Sequence, residues 1–147
     1  MNDELTNKLN EKYPKIFHRE NRNGESIPFY FECGDGWFNI IDSLCAVIQH
    51  NIDWHNAEGK YSRYKAKEPR KDQVVALQVK EKFGGLRFYA IGMGSEETGA
   101  LNMAEAMSTR ICETCGSPGT CRDNTGWWMT ICDPCLSKKE EAKNENT

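Results

Sequence analysis

Cys112-Glu113-Thr114-Cys115-Gly116 and Cys132-Asp133-Pro134-Cys135 frame the stretch that decides how this chain ends: two C-x2-C pairs with sixteen residues between them. That spacing is the one expected of a four-cysteine zinc site. Two intervening residues let both sulfurs of a knuckle turn toward one ion, and the longer segment carries enough chain to bring the second pair back. Gly116 follows the first pair directly, where a knuckle needs a residue without a side chain. Ser117-Pro118-Gly119 and Asp123-Asn124-Thr125-Gly126 supply turns, and Trp127-Trp128-Met129-Thr130-Ile131 supplies a strand into Cys132. The pattern predicts a zinc ribbon or a treble-clef-like knuckle over residues 111–136, with Cys112, Cys115, Cys132 and Cys135 as ligands of Zn2+. Four thiolates complete a tetrahedral zinc and leave no position for water or substrate, so the ion is expected to be structural. Redox cysteines or two disulfides are the competing reading. Cys121 lies between the pairs and is taken as a bystander, and Cys33 and Cys45 as small buried apolar residues.

Working toward the amino terminus, the remaining residues 1–110 read as one α+β domain. Leu5, Leu9 and Tyr13 recur at steps of four, a short amphipathic helix that Pro14 ends. Phe29-Tyr30-Phe31 suits a short strand. Asp35 is placed to cap a helix on which Phe38, Ile41, Leu44, Cys45, Ile48 and Ile52 form one stripe, widened by Trp37, Ile40 and Val47. Val75, Leu77 and Val79, then Leu86, Phe88 and Ala90, alternate with polar neighbours on either side of Gly84-Gly85, an antiparallel hairpin. A further helix from about Glu96 to Thr109, capped by Ser95 or Thr98, carries Leu101, Ala104 and Met107 on one face. The expected fold is therefore helices packed on a small antiparallel hairpin or sheet, followed by the knuckle. Residues 137–147 are read as a flexible charged tail, since nothing in them can be buried to offset the entropy of ordering.

Charge narrows the partners. The formal net charge is -3 over 147 residues, which argues against bulk attraction to nucleic acid. It is unevenly spread: residues 60–87 carry 9 basic and 3 acidic side chains. Within them Lys60, Arg63, Tyr64, Lys65, Lys67, Arg70 and Lys71 interleave cations with an aromatic ring. That segment reads either as a phosphate-tracking strip, joined by Lys80, Lys82 and Arg87, or as a solvated loop between a helix and a sheet. No apolar run is long enough for a membrane span. The opening Met1-Asn2-Asp3-Glu4-Leu5 lacks the basic-then-apolar order of a secretory signal, so a cytoplasmic location is expected.

Catalytic motifs are scarce. There is no Walker loop, Gly-x-Ser-x-Gly elbow or His-Glu-x-x-His pair, and the best acid–base candidate is His50 with Asp53 on one helix. A non-enzymatic role is expected. Trp127 and Trp128 are adjacent, so a strand would turn them to opposite faces and leave one free as a partner anchor.

Glu32-Cys33-Gly34-Asp35-Gly36-Trp37-Phe38, Val79-Lys80-Glu81-Lys82-Phe83-Gly84-Gly85-Leu86-Arg87-Phe88-Tyr89 and the knuckles around Gly126-Trp127-Trp128 together resemble small proteins of tailed bacteriophages and prophages that carry no assigned activity. The resemblance spans roughly residues 30–135. It implies a bacterial host cytoplasm and an accessory role during infection, with an unidentified host protein as the partner to be bound and modulated. The alternative is a nucleic-acid-binding regulator that uses the basic segment.

Overall fold

The computed structural model describes residues 1–57, 70–124 and 126–144. Helix α1, Asp3–Lys12, opens on Asn2, whose Oδ1 accepts the Leu5 amide at 2.9 Å. Leu9 is buried on its inner face, and Tyr13 closes it with its hydroxyl donating to Asp42 on the next helix. Strand β1, Phe31–Glu32, precedes a single 3-10 turn at Asp35–Trp37 and helix α2, Phe38–Asn56. Asp35 does not cap that helix. The 3-10 turn comes first and pushes the start of α2 beyond its reach, so its carboxylate accepts the backbone and side-chain amides of Asn2 instead, both at 2.7 Å. Ile40, Ile41, Leu44, Cys45, Ile48 and Ile52 are buried as their spacing predicts, whereas Val47 stays exposed.

Strands β2, Val75–Lys82, and β3, Gly85–Ile91, form the antiparallel hairpin, with Lys82 opposite Gly85 across a two-residue turn. The sheet is not purely antiparallel. Strand β1 pairs with β2 in parallel, Phe31 beside Val79 and Glu32 beside Lys80, with α2 as the crossover between them. One sheet face, including Val79, Leu86 and Phe88, meets the helices around Trp37; the other turns Gln78, Lys80, Lys82, Arg87 and Tyr89 outward. Phe17 anchors the aromatic part of the core, with ring centroids 5.1 Å from Phe29 and 4.9 Å from Phe31.

Helix α3, Ser95–Ser108, starts at Gly94 rather than being capped by Ser95 or Thr98. The buried Glu97 supplies the cap, its carboxylate reaching back to the Gly94 amide at 3.1 Å, while Thr98 donates its hydroxyl to the Gly94 carbonyl. Of the expected apolar face, Ala104 is buried and Met107 exposed. The helix runs along the free edge of β3, where the Ser108 hydroxyl accepts the Leu86 amide and the Glu105 carboxylate accepts the Phe88 amide. Side chains thus satisfy an edge that would otherwise invite another strand. The chain ends in a second hairpin, β4 Thr120–Asn124 and β5 Trp127–Ile131, and helix α4, Asp133–Asn144, which has no buried residue and continues through residues 137–144. Among the described residues, no helix is long and apolar enough to cross a membrane.

Candidate metal centre and the aromatic cleft beside it

Backbone turns place the first pair of cysteines. The Cys112 amide donates to Ser117 O at 2.7 Å, the Gly116 amide returns to Cys112 O at 2.9 Å, and Gly116 takes the positive φ of 78° that the knuckle requires. Strand β5 delivers Cys132, and the first turn of α4 carries Cys135, with the Leu136 amide bonded to Cys132 O at 3.0 Å. The order is knuckle, hairpin, then a helix whose first turn supplies the second pair. That is the treble-clef arrangement and decides between the two forms the spacing allowed. A helix amino terminus also favours a thiolate.

The four sulfurs lie within 4.8 Å of one another, and those of Cys115 and Cys132 are 3.6 Å apart. Bonds of ~2.3 Å in a tetrahedron separate sulfurs by about 3.8 Å, so the cluster fits one ion. Without a cation the thiols compete for charge. Cys115 is pulled down to about 6, chiefly by hydrogen bonds from the side chain and amide of Ser117. Cys135 is pushed up to about 12, because Cys132 and Cys115 share their hydrogen bonds with it. The Cys135 amide pulls Cys132 down, yet burial and the neighbouring thiols leave it raised. A metal cation held by all four sulfurs would resolve this competition by letting them ionise. Cys121 stands outside the cluster with its sulfur against Gly84. Cys33 and Cys45 are buried in the main core, where burial pushes Cys33 up to about 12 and Cys45 higher still, as suits inert apolar residues.

The knuckle is docked on the core through two seats that spacing alone did not disclose. At the first, the Gly36 amide donates to Glu113 O at 2.7 Å, the Gly34 amide to Glu113 Oε1 at 2.8 Å, and Trp37 Nε1 to Ile111 O at 2.9 Å. A Cβ on Gly36 would stand 2.1 Å from Cys112 O, and one on Gly34 2.3 Å from Glu113 O. The two glycines flanking Asp35, ahead of an aromatic, were the available signal. They make room for the knuckle's backbone. At the second seat Thr130 donates its hydroxyl to Gly84 O at 2.5 Å, and a Cβ on Gly84 would lie 2.7 Å from the Cys121 sulfur.

The second seat brings the tips of the two hairpins together. Phe83, Trp127 and Trp128 are 70%, 65% and 48% exposed and line one cleft of about 540 Å³ with Glu81, Lys82 and Gly126. The alternation of a strand buries neither tryptophan, where one was expected to be covered. Phe83 occupies the turn between β2 and β3. It has φ of 54° and is the sole non-glycine residue at positive φ among the described residues.

The other sequence candidates are distributed differently. Lys60, Arg63, Tyr64, Lys65 and Lys67 lie outside the described residues. Arg70 is exposed, but Lys71 is drawn into the amino terminus of α3, where its ammonium donates to Glu97 Oε1 at 2.8 Å and also to Glu96. Lys71 thus places its ammonium on the two carboxylates at the start of α3. His50 and Asp53 form no hydrogen bond with each other among the described residues, since Asp53 accepts Gln49 at 2.9 Å and pairs with Lys15 at 3.7 Å. Comparison with protein-family models, curated proteins and solved structures finds no match to this chain.

Proposed function

We propose that this chain is a non-enzymatic binding module in which a structural zinc ion holds a contact surface in shape. The observation that carries the reading is the docked metal knuckle, which keeps the exposed Trp127 and Trp128 beside the exposed Phe83. Exposed aromatics gathered in one cleft are what binding surfaces use and folded cores avoid. A tetrahedral four-sulfur site suits zinc or iron; zinc adds no redox chemistry and, with four thiolates, has no open coordination position. The resemblance to phage proteins adds the proposal that the module is an accessory protein acting on a host protein in a bacterial cytoplasm.

A second reading, a nucleic-acid-binding protein, is favoured by one specific observation: Lys80, Lys82 and Arg87 share the outer sheet face that leads into the cleft. The test of the module itself is elemental analysis joined to chelation. The expected result is one zinc per chain, whose removal shifts tryptophan emission and dismantles the cleft. Bound iron, or paired disulfides with no metal, would overturn the structural-zinc reading.

A further inference from the structure

We infer that the outer face of the three-stranded sheet and the aromatic cleft at its tip bind a single-stranded polynucleotide, with bases stacking on Tyr89, Phe83 and Trp128 and phosphates passing Lys80, Lys82 and Arg87. This rests on the reading of the chain as a zinc-held binding module and takes as its partner the nucleic acid of the second reading in place of a host protein.

Strain supplies the first argument. The turn between β2 and β3 sets Phe83 at φ 54° and Gly84 at φ 74°, a pair of positive angles for which Asn-Gly or Gly-Gly is the low-cost sequence. A phenylalanine in the left-handed region costs roughly 1–2 kcal/mol. Its ring recovers little by packing, because the residue is 70% exposed. A residue that strains its turn and stays in solvent is placed for what it presents outward.

Charge supplies the second. Lys80 lies directly opposite Arg87 across the strands, and Lys82 follows two residues along on the same face. Like charges so placed repel. They are set beside rings: Lys80 Nζ is 5.7 Å from the Tyr89 centroid and Lys82 Nζ 5.4 Å from that of Phe83. The nearby carboxylates are turned to internal donors, Glu81 to the Gly84 amide, Glu32 to Gln78 and Asp123 to the Gly126 amide. Arg87 has Glu105 at 3.8 Å, whereas no ion pair engages Lys80 or Lys82 among the described residues. A chain of net charge -3 thus sets three cations, Lys80, Lys82 and Arg87, side by side on one face.

The alternation of ring and cation then selects the partner. A single strand presents base faces and phosphates in turn, and a groove that stacks the former and pairs the latter matches it without reading sequence. A duplex hides its base faces within the stack and offers these rings nothing. A protein partner fits less well, since lysine is depleted from the core of protein interfaces and here lysines sit against the rings. Four residues of strand separate the pairing positions of Tyr89 and Gly85, a run of about 13 Å, so the site takes a short stretch of strand.

Fluorescence anisotropy of the zinc-loaded full chain tests this, using labelled oligothymidylate and oligouridylate of twelve nucleotides and a duplex of the same length, over a range of salt. Single strands are expected to bind at low salt and to weaken as salt rises. Phe83→Gly and Trp128→Ala should each weaken binding roughly tenfold, and Lys82→Gln should lower the salt slope by about 1. Phe83→Gly relieves the turn and should melt no lower than the parent, so its loss of binding cannot be unfolding. No binding at low salt, equal binding of the duplex, or affinities that Phe83→Gly and Trp128→Ala leave unchanged would each overturn the inference. With zinc present and no strand bound, this inference fails and the module reading stands; with no metal and oxidised thiols, the module reading itself fails.

Discussion

The two halves of the molecule are stabilised on different terms. Around Trp37 twenty buried residues from three helices, a mixed sheet and the loops between them form one continuous core. Beyond Ile111 the buried cluster is Cys112, Met129, Ile131 and Cys132, and two of those four belong to the four-cysteine cluster. The first region can fold on its own apolar surface, as an ordinary small domain does. The second cannot. Its order would come from an ion held by the four cysteines and from the two seats on its neighbour, and the aromatic cleft lies where the two regions meet. A surface assembled from both halves therefore reports on the metal without touching it.

The sharpest way to break that asymmetry is to remove the ion. Cys112→Ser or chelation should unfold residues 111–144 while leaving the amide protection of α2 and the β2–β3 hairpin largely intact, since structural zinc binding is worth roughly 10–16 kcal/mol in small peptides. Hydrogen exchange read by mass spectrometry checks it, and uniform loss of protection would show that the two halves fold as one unit. The next largest effect is at the first seat. Gly36→Ala forces a methyl into the Cys112 carbonyl and should cost about 3 kcal/mol, at the upper end for overpacking, measured as a lower denaturant midpoint of the metal-loaded protein.

A smaller effect is expected wholly within the first region. Burial raises the pKa of Glu97, but the Lys71 ammonium and the amides of Glu97 and Gly94 outweigh it and hold the carboxyl below its ordinary value. The folded value is the depressed one, so its stabilisation is present above the unfolded carboxylate pKa of about 4.3 and is lost as pH falls through the folded value. Glu97→Gln should flatten that acid limb in a melt of the metal-free protein, where thiolate protonation cannot contribute. It should also cost about 1–3 kcal/mol at neutral pH, by weakening a charged hydrogen bond that caps α3. The smallest change has the opposite sign: Phe83→Gly should stabilise by about 1 kcal/mol, visible as a slightly higher midpoint.

Much of the first region was legible. The buried stripe of α2 and the hairpin followed from periods near 3.6 and of 2, because each such residue meets the core through its own element. The parallel β1 was harder to see. Two paired residues carry almost no periodic signal, and their partner lies 48 positions away, Phe31 against Val79. Asp35 misled for a related reason: an aspartate ahead of an apolar run fits a cap, but here a 3-10 turn intervenes and Asn2 claims the carboxylate.

At the candidate site the four ligands could be named from spacing, since a C-x2-C pair is local chemistry that any fold must honour. The placement of Cys135 on a helix, the Gly34–Gly36 seat and the meeting of Phe83 with Trp127 and Trp128 could not. Which side chains can hold a metal and which faces of α2, β2 and β3 are apolar can be read along the chain, because short-range spacing and periodicity encode both. Which way the knuckle docks and which rings remain in solvent are visible in three dimensions alone. Those depend on backbone approaches between residues far apart in the chain, where a missing Cβ on Gly36 or Gly84 counts for as much as any side chain present.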